Sequence, residues 1–196
     1  MGEIALSHPP LHSLTTRLLH GALALGVTYQ LVFIGLVEGP RRGAPGNLFY
    51  EIHEIVGLTT LAIVSAFWLW SLARRRETRL AALFPWFSPV RLRALAADVG
   101  RHWASIRRLR LPEADESPLA TAVHGLGLLT VTAMAATGGA LALFALPQNS
   151  AGLVLEVHEL VSNLMWAYLI GHAGLALLHQ LVGQRVLQRI FGRRVA

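Results

Sequence analysis

Nine histidines stand in a chain of 196 residues, and six of them, His20, His53, His124, His158, His172 and His179, fall within or at the ends of long apolar stretches. A neutral imidazole donates one ring nitrogen and is the commonest protein ligand for a metal. An ionisable side chain inside an apolar segment is costly and marks a functional site by default. One such histidine is accounted for by hydrogen-bonded packing; six in four segments ask for a shared role. Other chemistries are poorly provided for. With no cysteine, disulfides, thiolate metal sites, iron–sulfur clusters, thiol catalysis and thioether cofactor attachment are excluded. His53-Glu54 and His158-Glu159 open like a His-Glu-x-x-His zinc motif, but Gly57 and Ser162 stand where the second ligand belongs, so a hydrolytic zinc site is not expected. No Ser/His/Asp set converges, and no Walker or dinucleotide-binding glycine motif is present.

The elements that must position these histidines follow from composition. Hydrophobic residues make up 54% of the chain and charged ones 14%, with a mean hydropathy of +0.50. A soluble domain carries about 25% charged residues, so too little polar surface is available to coat one. The expectation is an all-α, integral membrane four-helix bundle forming a single domain over residues 1–196. Its spans fall at about 16–38, 51–73, 118–146 and 152–183, each long enough to cross a bilayer. The third is expected to end at the turn signal Pro147-Gln148-Asn149-Ser150. A barrel is excluded, because the strand alternation it needs is missing. Gly2-Glu3 and two prolines stand where a signal peptide would have a basic patch, so the first span is expected to be retained.

Every basic residue is an arginine, and their distribution sets the orientation. Ten lie between spans two and three, whereas Arg41 and Arg42 alone lie between spans one and two. By the positive-inside rule both termini and the long loop are cytoplasmic. The inner side then carries +9, fifteen arginines against six carboxylates; the outer side carries −3, two arginines against five. A pI of 11.2 therefore reflects a loop facing anionic lipid, and no nucleic-acid partner is expected. Within that loop, Ser88-Pro89 reads as a helix start. Leu92, Leu95, Val99, Trp103 and Ile106 then recur at helical spacing, an amphipathic segment over about 88–110 suited to the headgroup region; the alternative is a solvated connector. Ser117-Pro118, after Glu113, Asp115 and Glu116, repeats the start signal for span three. His8, His12 and His102 fall in tail or loop, where solvation is the simpler role.

Orientation pairs the histidines. His158 and His172 are 14 residues apart, about 3.9 helical turns and roughly 21 Å, so they project from nearly one face at two depths. Span one runs outward, which puts His20 at the inner level beside His172. Span two runs inward, which puts His53 at the outer level beside His158. Two facing imidazoles per layer in an apolar bundle is the arrangement for bis-histidine ligation of haem iron. Gly57, Gly171 and Gly174 offer flat space for a porphyrin or, alternatively, close helix packing. Arg17, one turn before His20, is a candidate partner for an inner haem propionate; the alternative is an interfacial arginine that sets topology. Glu51-Ile52-His53-Glu54-Ile55-Val56 is echoed by Glu156-Val157-His158-Glu159-Leu160-Val161, and both are expected to begin helices entering from outside.

Several of these segments together resemble the bacterial cytochrome b561 family, related to the cytochrome b subunits of nickel-iron hydrogenases. The resemblance runs over Thr16-Arg17-Leu18-Leu19-His20, Ile52-His53-Glu54-Ile55-Val56-Gly57 and Val123-His124-Gly125. It is strongest at His158-Glu159-Leu160-Val161-Ser162-Asn163-Leu164, continuing through Ile170-Gly171-His172-Ala173-Gly174 to His179. It implies two b haems, with iron ligands His20 and His172 at the inner one and His53 and His158 at the outer. His124 and His179 match histidines that are usually not ligands; they are implied to contact a propionate or line a quinone pocket. Gly21 departs from the pattern, since the family commonly has tryptophan there.

The implied function is a multi-pass dihaem b-type cytochrome of the bacterial inner membrane, passing electrons between a donor and the membrane quinone pool. Its implied partners are membrane lipid, a quinone and a periplasmic or membrane-bound redox protein. Two alternatives stand beside it: a stand-alone superoxide:quinone oxidoreductase, against which the −3 outer face argues, and a non-redox protein whose histidines carry metal ions or protons.

Overall fold

In hydrocarbon an unpaired backbone amide or carbonyl costs several kcal/mol, so an apolar segment that crosses a membrane must bond its backbone within itself. The computed structural model describes residues 12–41, 44–74, 77–112, 117–144, 146–184 and 186–192, with the side chain of Arg189 left aside. Glu3, His8, Arg42, Arg75, Arg76, Glu113, Asp115, Glu116, Arg185, Arg193 and Arg194, which entered the charge and capping readings, lie outside the described residues. Regular structure is helical among the described residues: α1 (Leu14–Phe33), extended by a 3-10 turn at Ile34–Leu36; α2 (Leu48–Ala73); α3 (Leu80–Leu83); a 3-10 turn at Pro85–Phe87; α4 (Pro89–Arg107); α5 (Pro118–Leu143); α6 (Gln148–Leu181); and α7 (Gln188–Phe191). Helices α1, α2, α5 and α6 are long and apolar enough to cross a membrane.

Each start has a local cause. Ser13, Asn47, Ser88 and Ser117 cap α1, α2, α4 and α5, their side chains accepting from the backbone N–H of Thr16, Tyr50, Arg91 and Ala120. Proline follows Ser88 and Ser117 at the first helical position, where its missing N–H costs nothing. One boundary differs from the sequence reading. The expected turn at Pro147-Gln148-Asn149-Ser150 is instead the first turn of α6, with Pro147 as its N-cap. The pyrrolidine ring holds φ at −55° there, ready for a helix. Glu156, His158 and Glu159 consequently lie two to three turns inside α6 and do not begin it. Glu51 does stand in the first turn of α2, so the echo between the two segments is one of sequence and not of helix position.

The long helices pack in series, α1 on α2, α2 on α5 and α5 on α6, while α6 meets α1 only lightly. Leu31, Val64, Leu128, Val131, Ala135 and Met165 bury together between them. Leu83 of α3 packs against Gly125 of α5, where any Cβ would collide with the Leu83 carbonyl. Outward-facing side chains such as Leu25, Leu69, Leu160 and Leu181 remain exposed, a surface suited to acyl chains. On α4, Leu92, Val99, Trp103 and Ile106 stay exposed along one stripe.

Candidate functional site

The light contact between α1 and α6 leaves the six histidines of the apolar stretches to be placed one by one. His20 of α1 faces His172 of α6 with ring centres 6.3 Å apart and planes at 58°. His53 of α2 faces His158 of α6 at 6.4 Å and 83°. An imidazole nitrogen binds a metal at about 2.0 Å and sits about 1.1 Å from its ring centre, so two rings sharing one metal stand about 6.2 Å apart. The four residues thus fit the group that two facing imidazoles would share, at two levels of one bundle.

Neighbours hold these rings in place. Tyr168 stacks on His172 at 5.2 Å and 9°, and His124 meets the same ring edge-on at 5.1 Å. Tyr168 reaches that position over Gly127 of α5, where a Cβ would overlap its ring. The Oγ1 of Thr137, also on α5, lies 2.8 Å from His158 Nδ1. Gln30 of α1 donates from Nε2 to the carbonyl of His53 at 2.8 Å. A Cβ on Gly57 would stand 3.0 Å from that same Nε2. Gly57 therefore admits the Gln30 side chain, the close packing that was the alternative there. Gly171 and Gly174 do border open space, with nothing within 4 Å of a built Cβ.

The remaining candidates lie at the end of the bundle where α1 and α5 begin. The guanidinium of Arg17 donates to the carbonyls of Ile190 and Gly192 and so ties α1 to α7. His179 is buried and its Nδ1 lies 3.0 Å from Gln184 Oε1, while Gln184 donates to the Pro112 carbonyl at 3.4 Å. His124 keeps its Nδ1 2.7 Å from the Ala120 carbonyl.

A family model described as prokaryotic cytochrome b561 matches residues 11–193. The chain belongs to the prokaryotic cytochrome b561 family. Neither the curated proteins nor the solved structures hold a match to it. As a prokaryotic cytochrome b561 it is a multi-pass membrane b-type cytochrome of electron transport, and haem b is its cofactor class.

This b561 cytochrome carries two hydrogen-bonded carboxylates at helix starts, Asp98 buried and Glu77 half-buried. Asp98 of α4 is 2% exposed. It accepts from the Leu119 backbone N–H at 2.9 Å and from Arg101 at 2.8 Å, which puts a negative charge on the positive start of α5. Burial pushes its carboxyl up, but Leu119, the Ser117 hydroxyl, Arg101 and nearby His102 outweigh that and hold it below the usual carboxylate range. Glu77 does the same for α1. It accepts from the Ser13 N–H at 3.2 Å and the Thr16 hydroxyl at 2.7 Å. Burial again raises it, and Ser13, Thr16 and the His12 ring turn the balance downward. His12 and His102, expected to be solvated, instead lean on these acids, at 3.5 Å from Glu77 and 3.4 Å from Asp98. The i,i+3 and i,i+4 spacing of Arg101 and His102 from Asp98 was the available signal.

Proposed function

We propose that this b561 cytochrome is a dihaem electron carrier of the inner membrane, with His20 and His172 holding one haem b and His53 and His158 the other. Electrons would pass between an outer donor and a quinone at the inner side. The observation that carries this function is the pair of facing imidazole couples at 6.3 and 6.4 Å. Haem b, when bound, supplies one-electron chemistry at iron. The chain does the rest. The four histidines donate ring nitrogens, Tyr168 and His124 fix the plane of His172, Gln30 pins the α2 backbone at His53, and the surrounding helices exclude water. Arg17 retains N–H donors beyond those given to Ile190 and Gly192, enough to meet an inner propionate, and His124 and His179 would contact a propionate or line a quinone pocket. The outer side carries two arginines against five glutamates, which favours a neutral or cationic donor over superoxide.

A reduced-minus-oxidised spectrum with haem quantified per chain tests this. Two haems per chain are expected in the wild type and one in His20→Ala or His172→Ala, with the outer haem retained. Colourless protein expressed with ample iron and porphyrin, or loss of both haems in either variant, would overturn it.

A further inference from the structure

Helix α5 contributes no histidine to either facing pair, yet its Thr137 places a hydroxyl 2.8 Å from a ring nitrogen of His158 on α6, beside the Met134 backbone, which also bonds that ring. Thr137 Oγ1 lies 2.7 Å from the Ala133 carbonyl and 3.1 Å from that of Met134. A hydroxyl has a single hydrogen, and a 2.7 Å approach to a carbonyl is where that hydrogen goes. The oxygen that remains is an acceptor, so the 2.8 Å contact with His158 Nδ1 is a bond donated by the ring. Nδ1 then carries the proton of neutral His158, and the lone pair is left on Nε2. The next residue is shaped for the same contact, since a Cβ on Gly138 would stand 3.1 Å from His158 Cε1. The inner level is built otherwise: His20 Nδ1 is buried with no hydrogen-bond partner among the described residues.

We propose that Thr137 is a positioning residue for the outer haem, which sets the tautomer and ring plane of His158 and lowers the potential of that haem relative to one whose ligand lacks the bond. This rests on the haem-binding function proposed above. The physical cause is that a hydrogen bond accepted from the far nitrogen makes the ligating nitrogen more basic and favours the oxidised iron. The Ala133 and Met134 carbonyls behind Thr137 polarise its hydroxyl in the same direction.

The test compares Thr137→Val, which removes only the hydroxyl at nearly constant shape, with Thr137→Ser, which keeps it. Each is made in the full-length protein and in the His20→Ala background, where the outer haem is read alone. In Thr137→Val the reduced-to-oxidised ratio of the outer haem at fixed poise should rise by up to about tenfold, or about 59 mV for one electron. Its low-spin electron paramagnetic resonance signal should shift, while Thr137→Ser stays at wild type and the inner haem is unmoved. Loss of the outer haem in Thr137→Val with its retention in Thr137→Ser would also bear the proposal out. Unchanged potential and resonance in Thr137→Val, or equal changes in both variants, would overturn it while leaving a two-haem wild type intact. A wild type without haem would overturn the proposed function itself, and this proposal with it.

Discussion

At the residue scale, His172 shows how aromatic neighbours can hold a ring. His172 has Tyr168 parallel on one side at 5.2 Å and His124 edge-on at 5.1 Å, and such aromatic contacts are worth about 0.5–1.5 kcal/mol beyond area burial. The stack depends on Gly127, because a Cβ there overlaps the Tyr168 ring. Gly127→Ala must therefore expel Tyr168 from His172 or part α5 from α6. We expect it to cost about 1–3 kcal/mol, as overpacking does, and to alter the inner haem resonance while sparing the outer one. Thermal unfolding and low-temperature spectra measure both; a change confined to the outer haem would contradict the stack's role. Little of this was legible beforehand. His172 could be placed from its spacing to His158, because helical periodicity is intrinsic to the chain. Tyr168 and Gly127 could not be joined, because their meeting depends on the register between α5 and α6, which no residue type announces.

At the element scale, α1 and α5 each receive at their start a carboxylate from the segment between α2 and α5. Glu77 sits at the start of α1 and Asp98 at the start of α5. For Asp98 the folded carboxyl lies below its unfolded value, so the folded state binds fewer protons than the unfolded one wherever the two differ. Stability from this group is therefore fully present above the unfolded value near 3.8 and is lost as pH falls through the folded one. Asp98→Asn removes charge-assisted bonds worth about 1–3 kcal/mol, and it should lower the midpoint of thermal unfolding at neutral pH. The gap between wild type and variant should close in strong acid, and a gap independent of pH would contradict the charge-based account. The caps Ser88-Pro89 and Ser117-Pro118 were readable because they are local. Asp98 was not, since its partner Leu119 lies 21 residues away across a loop whose fold the composition does not reveal. The start of α6 was misread for a related reason: proline beside polar residues signals a turn and a helix start alike.

At the scale of the whole molecule, charge is sorted along the bundle axis. Glu54 and Glu159 follow directly on His53 and His158, whereas Arg17 stands one turn before His20. Two unit charges about 10 Å apart at an effective dielectric of 20 interact by about 1.7 kcal/mol, or roughly 70 mV for one electron. Reduction removes one positive charge from a haem, so in the proposed arrangement the basic inner end would favour the reduced form and the acidic outer end the oxidised one. The Thr137 bond acts on the outer site in the same sense. In the proposed orientation both effects make the inner haem the better electron acceptor, and electrons delivered outside would run downhill to the inner side. Potentiometric titration of His20→Ala, which reports the outer haem, against His53→Ala, which reports the inner one, should place the inner potential higher. Neutralising the outer acids in Glu54→Gln/Glu159→Gln should raise the outer potential and narrow the gap, more so at low ionic strength, where screening is weak. An outer potential above the inner one, or a gap indifferent to those two substitutions, would mean that the charge gradient orients the chain in the membrane without steering its electrons.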